Sequence, residues 1–422
     1  MKITILTVAP ETFDSFRKTP VIRKAEKNNT LELEITDIRD YAEGSYRKVD
    51  DSPYGGGPGM VLRVDTVTKA IKAAQTNNSH VILLSPKGKP YDQKKAHELA
   101  KREDIILVCG HYEGTDRRIE NYVDEQISIG DFILTGGELA AMTICDSIAR
   151  LLPKTLRDKQ TTEESFESGI LECPQYTHPL EFNGDRVPDV LLTGNAKEIR
   201  RFRTIQAIID TIRNRPDLFE KLAQTKSNTI GCSDATILEF DDIILKIQKE
   251  SKESEREEEA LNWLQGKLPV PKVLACEHNV GKSYILMEKL KGRMLCDPVI
   301  LNNRNRLTKT AAAALKMLWQ VDITDCPFRD ETEDRAESIK GKENNENKKE
   351  IVLCHGDLCL PNVFADNKGI TGFIDLGNCH IGSKDEDIND CLWSLEANLT
   401  GEYSDNPDRE PLDREAFLKL LQ

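Results

Sequence analysis

"VILLSPKGKPYDQKKAHELAKREDIILVCGHYEG", residues 81–114, decides the fold of the front half of this chain. Two apolar runs, VILLSP and IILVCGHY, flank a polar stretch, DQKKAHELAKR, with a helical pattern. Strand, helix, strand is the unit from which parallel sheets are built. Working outward, ITILTVA near the start supplies another strand and VDTVTKAIKAAQ another helix. Residues 1–152 therefore read as an α/β domain with a parallel sheet, and its glycine-rich turns follow the strands, where ligands of such sheets bind. The spacing of Leu139, Met142, Ile148 and Leu152 ahead of Pro153 predicts a helix over 138–152.

The rest of the chain is too long to belong to that domain. At 422 residues and 47.6 kDa, about two to four domains are expected. The formal net charge of −14 excludes nucleic-acid binding through bulk positive charge, but it is unevenly spread. Residues 1–222 carry 32 basic and 35 acidic side chains, a formal −3, which leaves −11 for the remainder. Eleven cysteines, an odd number with no metal-type CxxC pair, read as reduced thiols. The first apolar run is broken by Pro10 and Glu11, so it reads as a strand and not as a signal peptide. No apolar stretch approaches about 18 residues, and a soluble cytoplasmic protein without a membrane partner is expected.

Residues 154–178 are polar and irregular, and a helical segment with the cationic cluster KEIRRFR follows over 195–222. A domain boundary is placed near 224. Beyond it TILEFDDIILKI reads as a hairpin and KESKESEREEEALNWLQG as a charged-faced helix. Residues 329–350, rich in charge and poor in apolar residues, are expected to form a mobile loop.

The turns of the front half carry its chemistry. DDSPYGGGPGM at 50–60 offers a backbone that can approach a ligand closely beside two carboxylates, but it lacks the spacing of a dinucleotide fingerprint. After it come SPKG (85–88), GHYEG (110–114), SIGDFILTGGE (128–138), SFESGILECPQYTHP (165–179) and VPDVLLTGNAKEIRRFR (187–203). In this order they resemble the bacterial tRNA (guanine-N1)-methyltransferases, over residues 1–222. The resemblance implies a trefoil-knotted, SPOUT-type α/β domain over 1–160 and a small helical tRNA-binding domain over 161–224. It implies S-adenosylmethionine as cofactor, lined by Pro86, Gly88, Gly110, Tyr112, Glu113, Gly114, Ser128, Ile129, Gly130, Leu134, Gly136 and Gly137. It also implies the anticodon stem-loop of tRNA as partner, methylation at N1 of guanine 37, and a homodimer whose active site is shared between subunits. N1 must lose a proton as the methyl arrives, so a base and a cation are needed. Arg150 matches the family's arginine. The family's base is usually an aspartate just before the SF pair; here that position is Glu164. The family's use of magnesium finds no metal-ligand cluster in this half.

The back half carries a different set. His355, Gly356 and Asp357 precede Asn362, and Asp375 lies eighteen residues beyond Asp357 at the end of the strand-like GFID. Phosphoryl transfer needs an aligned hydroxyl and metal ions across the phosphates. Asp357 would orient the hydroxyl, Asn362 and Asp375 would hold Mg²⁺, Lys246 would grip the phosphates of ATP, and Glu257 would pair with Lys246. With NWLQGKLPVPKVL, ITDCPF, HGDLCLPNVF and GFIDLGN, residues 226–422 resemble the aminoglycoside 3′-phosphotransferases. This implies a kinase-like α+β two-lobed domain over 225–422, a phosphate-covering turn at 228–235, and an aminoglycoside as acceptor, which the acidity suits. The family's helical segment before HGD is replaced by 329–350, and the chain stops before the family's usual C-terminal segment. The alternative is a methyltransferase carrying a catalytically silent kinase-like appendage.

Overall fold

The computed structural model describes residues 1–156, 161, 163–225, 235–328, 351–400, 403 and 412–422. The chain divides into two compact units, Met1–Ser168 and Gly169–Gln422.

The first unit is built on five strands, β1 (Lys2–Thr7), β2 (Glu32–Asp37), β3 (Ser79–Pro90), β4 (Asp104–Cys109) and β5 (Glu125–Ser128). They lie in the order β2-β1-β4-β3-β5, each pair parallel. Its helices are α1 (Pro20–Lys27), α2 (Val64–Ala74), α3 (Gln93–Leu99) and α4 (Glu138–Ala149). Successive side chains of a strand point to opposite faces, and both faces of this sheet are covered. Ile82, Leu84, Ile105 and Leu107 pack with Ile22, Leu99, Ile144 and Ile148 of α1, α3 and α4. Val81, Leu83, Ile106 and Val108 pack with Val67 and Ile71 of α2. This is why the central strands read as continuous apolar runs.

Two local departures matter for the site. Helix α4 stops at Ala149, short of the expected 152, and Arg150 is its C-cap. In β3 the ladder with β5 is interrupted: Leu84 and Lys89 both pair with Ile127, so Ser85–Gly88 leave the sheet and return. Gly88 allows that return, because a Cβ there would lie 2.4 Å from the backbone nitrogen of Ile127.

In the second unit the helical segment 195–222 is observed as two helices, α5 (Ala196–Asn214) and α6 (Asp217–Thr225). Pro216 disfavours helical geometry at the residue before it, and Arg215 turns the chain at φ −143°, ψ 57°. The hairpin is present as β6 (Thr236–Phe240) and β7 (Ile243–Lys249), with Asp241 left-handed in its two-residue turn. With β8 (Val273–Asn279) and β9 (Lys282–Glu288) it makes an antiparallel sheet in the order β6-β7-β9-β8. The charged-faced helix is α7 (Lys252–Trp263), entered through a capping box between Ser251 and Ser254. Helices α8 (Arg304–Trp319), α9 (Lys384–Thr400) and α10 (Arg414–Leu421) complete the unit with the hairpin of β11 (Val363–Asp366) and β12 (Gly369–Phe373) and the pair β10 (Ile351–Cys354) and β13 (His380–Ser383).

Alternation along β7 gives the sheet two apolar faces. Ile243, Leu245 and Ile247, with Tyr284 and Leu286 of β9, form one core with Ile208, Ile212, Phe219 and Leu222 of α5 and α6. On the other side Ile244, Ile285 and Met287 pack with Ala260 and Leu261 of α7. Division by packing therefore differs from the three-part organisation read at 160 and 224, because α5 and α6 share their core with the sheet that follows them. Residues 329–350 and most of 228–235, read above as a loop and a phosphate-covering turn, lie outside the described residues. Among the described residues no helix is long and apolar enough to cross a membrane.

Candidate active sites

At the carboxyl ends of β3, β4 and β5 lies a cavity of about 480 Å³. Of the twelve positions expected to line the S-adenosylmethionine pocket, eleven line it: Pro86, Gly110, Tyr112, Glu113, Gly114, Ser128, Ile129, Gly130, Leu134, Gly136 and Gly137. Gly88 does not; it lies behind the wall, against Gln126 and Ile127. The chain returns to the sheet at Gly137, whose N–H donates to Gly110 O at 2.7 Å and where a Cβ would sit 2.7 Å from the Cα of Cys109. Close approach of backbone to backbone thus fixes the wall, and much of the lining is main chain. Below it, Thr7 donates a buried 2.7 Å hydrogen bond to Glu138 at the first turn of α4. Lys87, His111 and Phe132 also line the cavity and were not picked out by sequence, although each sits inside a quoted turn.

Arg150 and Glu164 are not among the lining residues, but they are brought together. Arg150 Nη2 donates to Glu164 Oε1 at 2.6 Å. Glu164 Oε2 is buried and has no hydrogen-bond partner among the described residues. The pair sets a carboxylate, the kind of group a base requires, directly beside a guanidinium, the kind of cation that charge on a substrate oxygen requires.

In the second unit Lys246 on β7 donates to both carboxylate oxygens of Glu257 on α7, at 2.7 Å each, and to Asp375 Oδ1 at 2.6 Å. Burial lowers the Lys246 pKa, but the charges of Glu257 and Asp375 outweigh it and hold the ammonium above its ordinary value. The Glu257 carboxylate also accepts from Gln248, two residues along β7 and so on the same face as Lys246, a signal that strand alternation could have supplied. Asp375 follows β12 with a left-handed backbone, φ 61°, rather than lying in the strand.

Asp357 and Asn362 form a second group. Asn362 Nδ2 donates to Asp357 O at 3.0 Å and to Oδ2 at 3.2 Å, and Cys359 Sγ donates to Oδ1 at 2.9 Å. Burial and the Asp357 carboxylate both push the Cys359 thiol well above its usual range, which keeps it a donor. His355 is buried, which lowers its pKa, and its Nε2 bonds Ile374 O at 3.0 Å, tying the loop to the residue before Asp375. Two further residues hold the loop: Asp387 Oδ1 accepts from His355 N at 2.9 Å and Gly356 N at 3.4 Å, and Ser394 Oγ accepts from Leu360 N at 2.9 Å. Both lie on α9, about thirty residues on, with no local motif to mark them. Among the described residues no cluster of three or more His, Cys, Asp or Glu side chains could hold a metal ion.

Comparison with known proteins agrees with this division of chemistry. Residues 1–221 match the family described as tRNA (Guanine-1)-methyltransferase TrmD. Residues 235–347 and 342–418 match the phosphotransferase enzyme family. The tRNA (guanine-N(1)-)-methyltransferase of Malacoplasma penetrans is 50% identical over 221 residues, 52% of this chain and 98% of that protein. Those of Clostridium perfringens and Dictyoglomus turgidum are 48% and 45% identical over 230 and 229 residues, each 54% of this chain, and 97% and 94% of the relatives. By its first 221 residues the chain belongs to the tRNA (guanine-N1)-methyltransferase family, and the part that follows is a phosphotransferase-family domain.

Proposed function

We propose that the front part of the chain methylates N1 of guanine 37 in the anticodon stem-loop of tRNA, with Glu164 as base and Arg150 as the cation. The observation that carries this reading is the buried, unpaired Oε2 of Glu164 beside a guanidinium that already holds Oε1. S-adenosylmethionine, when bound, supplies an electrophilic methyl group. The cavity suits it, since its volume falls in the range of small-molecule sites and its glycine-rich wall offers backbone groups to an adenosine and a bent methionine tail. During transfer, Glu164 Oε2 would take the N1 proton and Arg150 would steady the negative charge developing on O6. The first 160 residues are read as a trefoil-knotted, SPOUT-type domain, a reading supported by the close return of the chain at Gly137 beside Cys109 and Gly110. Exposed Phe132, Ile133 and Leu139 at and beside the cavity suit a homodimer.

The test is a digest of treated tRNA analysed by mass spectrometry, with transcripts bearing guanine or adenine at position 37. N1-methylguanine is expected only with guanine 37, and Glu164→Gln is expected to lower the rate by about 10²- to 10⁴-fold. Methylation elsewhere, or an unimpaired Glu164→Gln, would refute the assignment.

Residues 225–422 are read as an ATP- and Mg²⁺-dependent aminoglycoside 3′-phosphotransferase. The pairing of Lys246 with Glu257 and Asp375, together with the fixed Asp357 carboxylate, supports the reading. Mg²⁺, when bound, neutralises charge across the phosphates. Its donors fit: Asn362 gives its nitrogen to Asp357, leaving Oδ1, and Asp375 gives Oδ1 to Lys246, leaving Oδ2, while hard cations of this kind take one or two such oxygens plus phosphate and water. Asp357 orients the acceptor hydroxyl and takes its proton as oxygen attacks the γ-phosphorus and the bond to the β–γ bridging oxygen breaks. Full-length protein with Mg-ATP and kanamycin, beside Asp357→Ala, should give a phosphate adduct only with the parent. No adduct from protein that still methylates tRNA would mean a silent appendage.

A further inference from the structure

The turn that carries Glu164 is anchored at both ends. It is closed by Glu167 N donating to Glu164 O at 3.2 Å, with Phe166 left-handed at φ 76°. At one end Arg150, the C-cap of α4, holds the Glu164 carboxylate. At the other, the Glu167 carboxylate takes three bonds from α3: His97 Nε2 donates to both oxygens, at 2.9 and 3.0 Å, and Gln93 Nε2 donates to Oε1 at 2.7 Å. Gln93 and His97 are four residues apart and so share one face of that helix, and α3 packs against α4.

Residues 163–168 form neither helix nor strand, so no backbone ladder sets their position. Side-chain anchors therefore carry more of the task. Glu167, Gln93 and His97 do not line the cavity, and none has a part in the steps above. We infer that Glu167, gripped by Gln93 and His97, is a positioning residue that sets where the Glu164 carboxylate stands. This rests on the reading of Glu164 as base. Losing the Glu167 anchor releases the end of the turn held to α3, whereas with both anchors the turn spans two packed helices. A displacement of about 1 Å at a reacting group costs on the order of 10²-fold in rate.

The test uses the full-length chain, single-turnover methyl transfer to saturating tRNA, calorimetric S-adenosylmethionine affinity and the melting temperature. Glu167→Ala is expected to slow transfer by about 10- to 100-fold while affinity and melting stay at parent values. Glu167→Gln should recover most of the rate, because an amide oxygen still accepts from Gln93 and His97. His97→Ala combined with Glu167→Ala should be no slower than Glu167→Ala alone, since both remove the same anchor. A Glu167→Ala rate equal to the parent's, or a loss matched by loss of affinity or of melting temperature, overturns the inference. Glu164→Gln separates the two failures. If it transfers at the parental rate the base reading falls and the positioning role with it; if it is inactive while Glu167→Ala is normal, only the positioning role falls.

Discussion

Asp387 shows how a single buried carboxylate links the His355–Asp357 loop to pH. Burial pushes its pKa up to about 6, although the backbone N–H groups of His355 and Gly356 pull the other way. The folded chain therefore holds this proton more tightly than the unfolded chain, whose value is the ordinary 3.8. Its contribution to stability is fully present below about pH 4, is lost as pH rises to about 6, and is constant above; the span corresponds to about 3 kcal/mol. Measured against Asp387→Asn by urea unfolding across pH, the parent should lose stability over that window, and parallel profiles would refute the assignment. Sequence reading reached Asp357, Asn362 and Asp375 because their chemistry is concentrated in one short stretch. It did not reach Asp387, Ser394 or Glu167, which act by holding others. A residue that orients a loop from a distant helix leaves no pattern at its own position, whereas one that meets the reactants is bound to the motif's spacing.

Among the elements, β3 carries the most consequence. Its excursion at Ser85–Gly88 shapes the cavity wall, and the strand re-enters beside Ile127 only because Gly88 has no side chain. Gly88→Ala should destabilise the first unit by about 3 kcal/mol and weaken S-adenosylmethionine binding, since backbone and not a flexible side chain stands in the way. A calorimetric melt and titration unchanged from the parent would show that the strand can shift without cost. The strands and helices themselves were legible, because a doubly covered sheet needs unbroken apolar runs and its helices need one apolar stripe. What alternation and period cannot express is a strand that leaves its ladder and rejoins it against the same neighbour. The break between α5 and α6 was legible in principle through Pro216, while the early end of α4 was set by capping at Arg150 and not by where its apolar residues stop.

At the scale of the whole molecule, family boundaries and packing boundaries do not coincide. The methyltransferase match ends at residue 221, yet Ile208, Ile212 and Phe219 are buried against Leu245, Tyr284 and Leu286 of the phosphotransferase-family sheet. A chain cut after Thr225 loses that cover, at a cost of about 5 kcal/mol for those three side chains. The fragment should melt earlier than the same segment in the full chain, or self-associate; a fragment that melts at the parental temperature and stays dispersed would refute this. Sequence placed the boundary near 224 because composition changes there. Burial could not be read, since the apolar stripe of α5 shows that the helix needs a partner and not which one. Strand β7 shows the sharing at neighbouring positions: Leu245 is buried in the core it shares with α5 and α6, and Lys246, the next residue, points to the opposite face, where it pairs with Glu257 and Asp375. The two family segments are therefore not interchangeable cassettes. A drifting substitution along this strand would be felt on both of its faces at once, and splitting the gene at the seam in its sequence would cut through the second compact unit.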